Sequence, residues 1–131
     1  MHRVGRRLRR PTTALLVIAA AVLAGCVTEN RPESCDADAT TIDLTVAATS
    51  MEPNDPAACR GQDVTLLIDA DVDGVFHIHG LDDLVPATAV SAGERTTLEF
   101  TADRSGQFPV ELHPADDPQA LDIGILTLHE R

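Results

Sequence analysis

Short runs in which apolar and polar residues alternate recur along the chain from Thr40 onward, and turn signals separate them. The first run places Ile42, Leu44 and Val46 between Thr and Asp residues, which is the period of a strand with one buried face. No window of about 11 residues shows clean helical periodicity. About six or seven such strands, with turns every 8–12 residues or so, predict an all-β chain folded as a Greek-key β-sandwich.

The predicted strands are short, and the segments between them contain turn and loop residues. Residues 50–58 hold two prolines and are predicted as loop, and residues 81–92, which include Pro86, are predicted as irregular. The run 64–68 is continuously apolar and is predicted to be buried on both faces. The strands are predicted at 40–46, 64–68, 75–80, 96–101, 107–113 and 123–129.

The first 25 residues have the pattern of a targeting segment. A basic start is followed by an apolar run, Ala14 to Leu23, of about ten residues, against the roughly 20 that span a bilayer. This pattern predicts a signal peptide at 1–25. The sequence Leu23-Ala24-Gly25-Cys26 resembles a bacterial lipobox, which implies cleavage before Cys26 and a lipid on its thiol. The alternative is ordinary secretion with a chance cysteine.

This interpretation divides the chain into a signal peptide, a tether at 26–39 and one domain at 40–131. It predicts a location at the cell membrane, lipid-anchored on the extracytoplasmic face. The tether is polar and contains few apolar residues, so it is predicted to be mobile until Cys35 holds it to the domain.

The predicted mature chain is strongly acidic. Five of the ten arginines and none of the 21 acids precede Cys26, so the formal charge changes from −11 to 5 − 21 = −16. Such a chain does not bind nucleic acid by neutralising phosphates, nor anionic lipid by charge. The acids form either a solvated surface or a field that attracts cations.

Three cysteines remain to be assigned, and one of them is the predicted lipid site Cys26. Cys35 and Cys59 form an even pair in an oxidising compartment, which predicts a disulfide. A reactive thiol pair is the alternative, but the spacing is long and Arg60 is the one basic neighbour.

The run Val75-Phe76-His77-Ile78-His79-Gly80 holds two histidines two residues apart. In a strand they share one face while Phe76 and Ile78 share the other. A third histidine, His113, lies in a later predicted strand. Imidazoles suit copper, zinc and nickel, so these three residues are a candidate metal site. The alternative is a structural strand whose histidines bind nothing.

From about residue 40 to 131 the chain resembles the cupredoxin domain, the plastocyanin- and azurin-like copper fold. The resemblance rests on the HIHG strand with Leu81-Asp82 after it, the turns at 92–94 and 102–108, and the final strand at 124–128. It is most similar to small actinobacterial lipoproteins with one such domain. The resemblance implies a cupredoxin-like β-sandwich.

The ligands of the family's blue-copper site are two His, one Cys and a weak axial Met. The resemblance places His77 at the first histidine, Leu112 at the cysteine and Asp122 at the methionine, and no histidine occurs between Pro114 and Gly124. Without a thiolate, blue-copper electron transfer is not expected. Copper or another divalent metal held by His77, His79 and His113 is predicted instead, with Glu111 and Asp122 as additional ligands or partners of ligands.

Other functions receive less support from the sequence. The turn Asp69-x-Asp71-x-Asp73-Gly74 resembles half a calcium loop, but the twelfth position is Gly80 rather than Glu. No nucleophile motif or Ser/His/Asp set indicates catalysis, so the chain is not predicted to be an enzyme. A metal-free β-sandwich that binds a cell-envelope partner, whose identity the sequence does not indicate, is the alternative function.

Overall fold

The computed structural model describes residues 33–117 and 119–131. The predicted signal peptide, Cys26 and the first part of the tether lie outside the described residues. Within the described part, a short 3-10 helix at Glu33–Asp36 precedes nine strands. The strands are β1 (Ala39–Ala47), β2 (Ser50–Glu52), β3 (Ala57–Cys59), β4 (Asp63–Ala70), β5 (Gly74–Ile78), β6 (Thr88–Val90), β7 (Arg95–Thr101), β8 (Gly106–Pro114) and β9 (Leu121–His129).

The strands form two sheets, which confirms the predicted β-sandwich. The four-stranded sheet has the order β2-β1-β4-β7, and the five-stranded sheet has the order β3-β9-β8-β5-β6. The β1/β4 and β3/β9 pairs are parallel, and the other neighbours run antiparallel. Strands β5 and β8 are neighbours inside the five-stranded sheet, so side chains from the HIHG segment and from the His113 segment lie side by side.

Alternate residues of each strand fill the space between the sheets. In β4, Val64, Leu66 and Ile68 are buried while the residues between them are partly exposed. The prediction that this strand is buried on both faces is therefore wrong, because its outer face is only half covered. From the other sheet, Phe76 and Leu112 join the same core. Each fully buried side chain of this size contributes roughly 1.5–3 kcal/mol to folding.

A disulfide and a buried amide hold the start of the domain. Cys35 and Cys59 are bonded with a Cα–Cα distance of 5.4 Å, as expected. Beside them, the buried side chain of Gln62 accepts from the Cys59 amide at 2.8 Å and donates to the Ala37 carbonyl at 2.9 Å. These bonds tie the segment before β1 to the body of the sandwich.

Three short strands differ from the sequence prediction. β2 and β3 lie in the segment predicted as loop, and β6 lies in the segment predicted as irregular. Each has three residues, too few for an alternating pattern to show. β2 and β6 pair with neighbouring antiparallel strands, and β3 pairs with the distant β9.

No helix in the described residues is long and apolar enough to cross a membrane.

Candidate metal centre

The pairing of β5 with β8 determines which side chains meet on the outer face of the five-stranded sheet. His77 lies opposite Glu111, and Val75 lies opposite His113. Because neighbouring residues of a strand point to opposite faces, His77, Glu111 and His113 share the outer face. Three donor-bearing side chains are thereby brought together from two strands.

The three side chains lie close enough to share one ion. The Oε2 atom of Glu111 is 3.4 Å from Nδ1 of His77 and 3.6 Å from Nε2 of His113. One donor atom from each residue lies within 4.8 Å of the other two. The side chains of His77, Glu111 and His113 are 18%, 23% and 41% exposed, so the group is partly covered yet open to solvent.

These separations suit a first-row divalent metal. Metal–nitrogen and metal–oxygen bonds of about 2.0–2.2 Å in tetrahedral geometry place neighbouring donors about 3.3–3.6 Å apart. Both separations to Glu111 fall in or near that range. Two imidazoles and one carboxylate are ligands for zinc and copper, and three protein ligands leave a coordination position for water or another ligand.

A second carboxylate contacts His77 from the other side of its ring. Asp82 Oδ1 lies 2.5 Å from His77 Nε2. This hydrogen bond raises the pKa of His77 above its ordinary value of 6.5, partial burial opposes the rise, and Glu111 adds to it. The same bond lowers the pKa of Asp82. Sequence reasoning did not assign a role to Asp82, although its place five residues after His77 across the Gly80 turn could have suggested one.

The structure places His79 at the margin of this group. β5 ends at Ile78, and His79 lies in the following turn, exposed. Its ring centroid is 5.8 Å from that of His77, and it is not one of the three residues whose donor atoms converge. Glu111, which the sequence suggested only as an additional ligand, lies between His77 and His113 instead.

The position of His113 differs from the expectation based on the resemblance. The resemblance gives Leu112 the place of the family's cysteine, and in a regular strand His113 faces away from Leu112, so the resemblance predicts that only a bulge or the strand's end at Pro114 brings His113 to the site. The structure shows that Leu112 pairs with Phe76 in the core, while His77 faces outward. His113 reaches His77 with regular β5–β8 register because both face away from Leu112.

The residues do not fit a blue-copper centre. Leu112 is fully buried and apolar, and Asp122 is exposed on β9 opposite Glu111. The two cysteines among the described residues are joined in the disulfide. No thiolate is therefore present in this part of the chain to make the copper–sulfur bond of that centre.

Two of the three acids in the turn predicted to resemble half a calcium loop, Asp69 and Asp73, accept hydrogen bonds from protein groups. Arg95 donates to both carboxylate oxygens of Asp69, at 2.9 and 2.5 Å, and lies 3.7 Å from Asp43. The ion pair lowers the pKa of Asp69 and raises that of Arg95. Asp73 accepts from the Ala92 amide at 2.9 Å.

Solved structures identify the fold. A multi-copper oxidase from Pseudomonas thermotolerans matches with a TM-score of 0.54 and 19% identity over 71% of this chain, and this chain spans 30% of the oxidase. Reduced auracyanin from Roseiflexus castenholzii matches with a TM-score of 0.52 and 15% identity, over 68% of this chain and 96% of that one. A copper binding protein in the apo form matches with a TM-score of 0.51 and 13% identity, over 70% and 89%.

These likenesses show that the chain has a cupredoxin-like domain. The sequence matches no family model and no curated protein.

Proposed function

We propose that this protein is a lipid-anchored, extracytoplasmic cupredoxin-fold protein that binds a divalent metal ion, with Cu(II) favoured. The observation that carries the proposal is the meeting of His77, Glu111 and His113 on the outer face of the five-stranded sheet. Cu(II) binds nitrogen and oxygen donors more tightly than the other first-row divalent ions do. The multi-copper oxidase and the copper binding protein among the structural neighbours support the same ion.

The site is proposed to bind metal without acting as a blue-copper electron carrier. Its donors are nitrogen and oxygen, whereas the intense blue colour and the tuned potential of that class require a thiolate. The ion is therefore expected to stay in the Cu(II) state with weak visible absorption.

The test is metal uptake by the untagged protein. We expect one Cu(II) per chain in a competition titration against a chelator, and loss of that uptake in the double variant His77→Ala/His113→Ala. His129→Ala is the matched control, since His129 lies on β9 beside Cys59, away from the cluster. Wild-type uptake no stronger than that of the double variant would refute the proposal.

The anchor is proposed from the sequence motif at Cys26 and tested separately. Two or more acyl chains hold a protein stably at a membrane, where one chain is marginal. Cys26→Ala should move the protein from the membrane fraction to the soluble fraction or leave it unprocessed. An unchanged, processed, membrane-bound form would contradict the anchor without bearing on the metal.

A metal-free binding module is the second candidate, and one observation favours it. The two exposed large hydrophobic residues among those described, Val75 and Ile125, are 37% and 44% exposed. Val75 lies opposite His113, and Ile125 lies opposite Pro109 on the same sheet. These two side chains lie on the sheet face that also carries the histidines, and the copper titration decides between the two candidates.

A further inference from the structure

We propose that Asp82 is a positioning residue that selects which nitrogen of His77 binds the metal. The inference rests on the proposed function, because it concerns the same site. His77 lies between two carboxylates: its Nε2 is 2.5 Å from Asp82 and its Nδ1 is 3.4 Å from Glu111. Asp82 would hold the ring so that Nδ1 faces Glu111 and His113.

The chemistry of imidazole determines which ring nitrogen of His77 is available to bind a metal ion. A neutral imidazole has one N–H and one nitrogen lone pair, and an ionised carboxylate only accepts hydrogen bonds. Carboxylates lie beside both ring nitrogens, but the contact of Nε2 with Asp82, at 2.5 Å, is much shorter than the contact of Nδ1 with Glu111, at 3.4 Å. In the neutral ring the N–H therefore lies on Nε2, where it donates to Asp82. The lone pair is then on Nδ1, on the side of Glu111 and His113. Histidines that bind metals commonly donate their second ring N–H to such a carboxylate, which fixes the tautomer and the ring orientation.

The local backbone holds Asp82 in place for this contact. Gly80 adopts a φ of +88°, a conformation that L side chains rarely adopt, and this turns the chain back toward β5. The Gly80 amide donates to Asp82 Oδ2 at 3.3 Å. The next residue, Leu81, is fully buried, and its carbonyl accepts from the Leu84 and Val85 amides. Asp82 is thus attached to a residue anchored in the core.

The adjacent Asp83 provides a matched control. Its carboxylate accepts from Arg104 at 2.5 Å rather than from a histidine. Asp82→Asn and Asp83→Asn therefore remove the same charge one residue apart, and only the first alters the contact with His77.

The first readout is Cu(II) affinity of the untagged full chain, measured by chelator competition. Asp82→Ala should weaken binding about tenfold, the lower end of the usual loss when such a partner is removed. Asp82→Asn should weaken it less, because the amide oxygen still accepts from Nε2–H. Asp83→Asn should change it by less than about twofold, since exposed charges at a distance are screened.

The second readout is a long-range ¹H–¹⁵N NMR spectrum of the chain loaded with diamagnetic Zn(II). We expect metal on Nδ1 and hydrogen on Nε2 of His77 in the wild type and in Asp83→Asn, and mixed nitrogen use in Asp82→Ala. A purely structural role for Asp82 would not change the nitrogen that binds.

Three outcomes would overturn the inference. Metal on Nε2 in the wild type would contradict it directly, and so would equal affinity and the same bound nitrogen in Asp82→Ala and Asp83→Asn. Either result leaves the proposed function standing, because the wild type still binds. No metal uptake by the wild type would refute the proposed function and this inference together.

Discussion

The outer faces of the two sheets each carry a basic side chain between carboxylates, but the two side chains differ in chemistry. On the four-stranded sheet Arg95 binds Asp69 and lies near Asp43. On the five-stranded sheet His77 lies between Asp82 and Glu111. A guanidinium stays protonated at every accessible pH, whereas an imidazole loses its proton near neutrality. Loss of its proton therefore gives His77 a nitrogen lone pair that could act as a ligand, whereas Arg95 offers none.

The ion pairs of the described residues show the same contrast between arginine and histidine. Each arginine of the described residues makes an ion pair, in the pairs Arg60–Glu130, Arg95–Asp69, Arg104–Asp83 and Arg131–Asp38. The acids in those four pairs have a partner that stays charged. Glu111 has the imidazoles of His77 and His113 as its neighbours instead, at 3.4 and 3.6 Å, and no arginine of the described residues is paired with its carboxylate.

The largest expected effect on Cu(II) affinity comes from placing an arginine in the histidine cluster, as in the cluster of Arg95. His77→Arg replaces the imidazole with a fixed cation that can still pair with Asp82 and Glu111, and it should lower Cu(II) affinity by roughly 100-fold or more. Chelator competition measures the change. Arg95→His, made in the other cluster, should leave the affinity unchanged. Retained affinity in His77→Arg would show that the ion binds elsewhere.

The second largest expected effect is the loss of Cu(II) affinity at the histidine cluster when the pH is lowered. Metal binding requires neutral imidazole, so Cu(II) affinity should fall at least about tenfold for each pH unit below the pKa of His77, since each protonated imidazole ligand adds one such factor. The proton released on binding can be measured by calorimetry in buffers of different ionisation enthalpy. An affinity that is flat from neutral pH to pH 5 would point to carboxylate ligands alone.

In the metal-free protein the two clusters should have opposite effects of pH on stability. The raised pKa of His77 adds stability that is fully present below pH 6.5 and is lost as pH rises through the folded-state pKa. The lowered pKa of Asp69 adds stability that is present above pH 3.8 and is lost as pH falls through its folded-state pKa. NMR titration of both residues checks the two directions, and a His77 pKa at or below 6.5 would contradict the first.

Removing the shared carboxylate should have an intermediate effect on metal affinity. Glu111→Gln keeps the shape of the side chain but removes its charge and replaces one of its oxygens with an NH₂ group. We expect about a tenfold loss of Cu(II) affinity. Glu99→Gln, on the outer face of the other sheet, removes the same charge and should have little effect. Equal affinities in the two variants would exclude Glu111 as a ligand.

The smallest expected effect concerns His79. Its ring lies outside the converging group, so His79→Ala should weaken Cu(II) binding by less than about threefold, far below the effect of changing His77. A loss as large as that in His77→Arg would restore the three-histidine site that the sequence predicts.

The sequence predicted the longer strands and the residue types of the site well, because both are local patterns. The alternation of apolar and polar residues along β1 and β7 can be recognised within a few residues, and so can the spacing of the two histidines in HIHG. The position of Glu111 between His77 and His113 was not predictable, since it depends on the β5–β8 register across more than 30 residues. The three-residue strands and the turn that returns Asp82 to His77 likewise depend on contacts made only after folding.

The most direct measurement is anomalous diffraction at the copper edge from crystals of the copper-loaded protein. We expect one strong peak on the outer face of the five-stranded sheet, about 2.0–2.2 Å from His77 Nδ1, His113 Nε2 and a Glu111 oxygen. A peak between the sheets beside Leu112, or no peak at this cluster, would contradict the central claim that the metal site lies on the outer face.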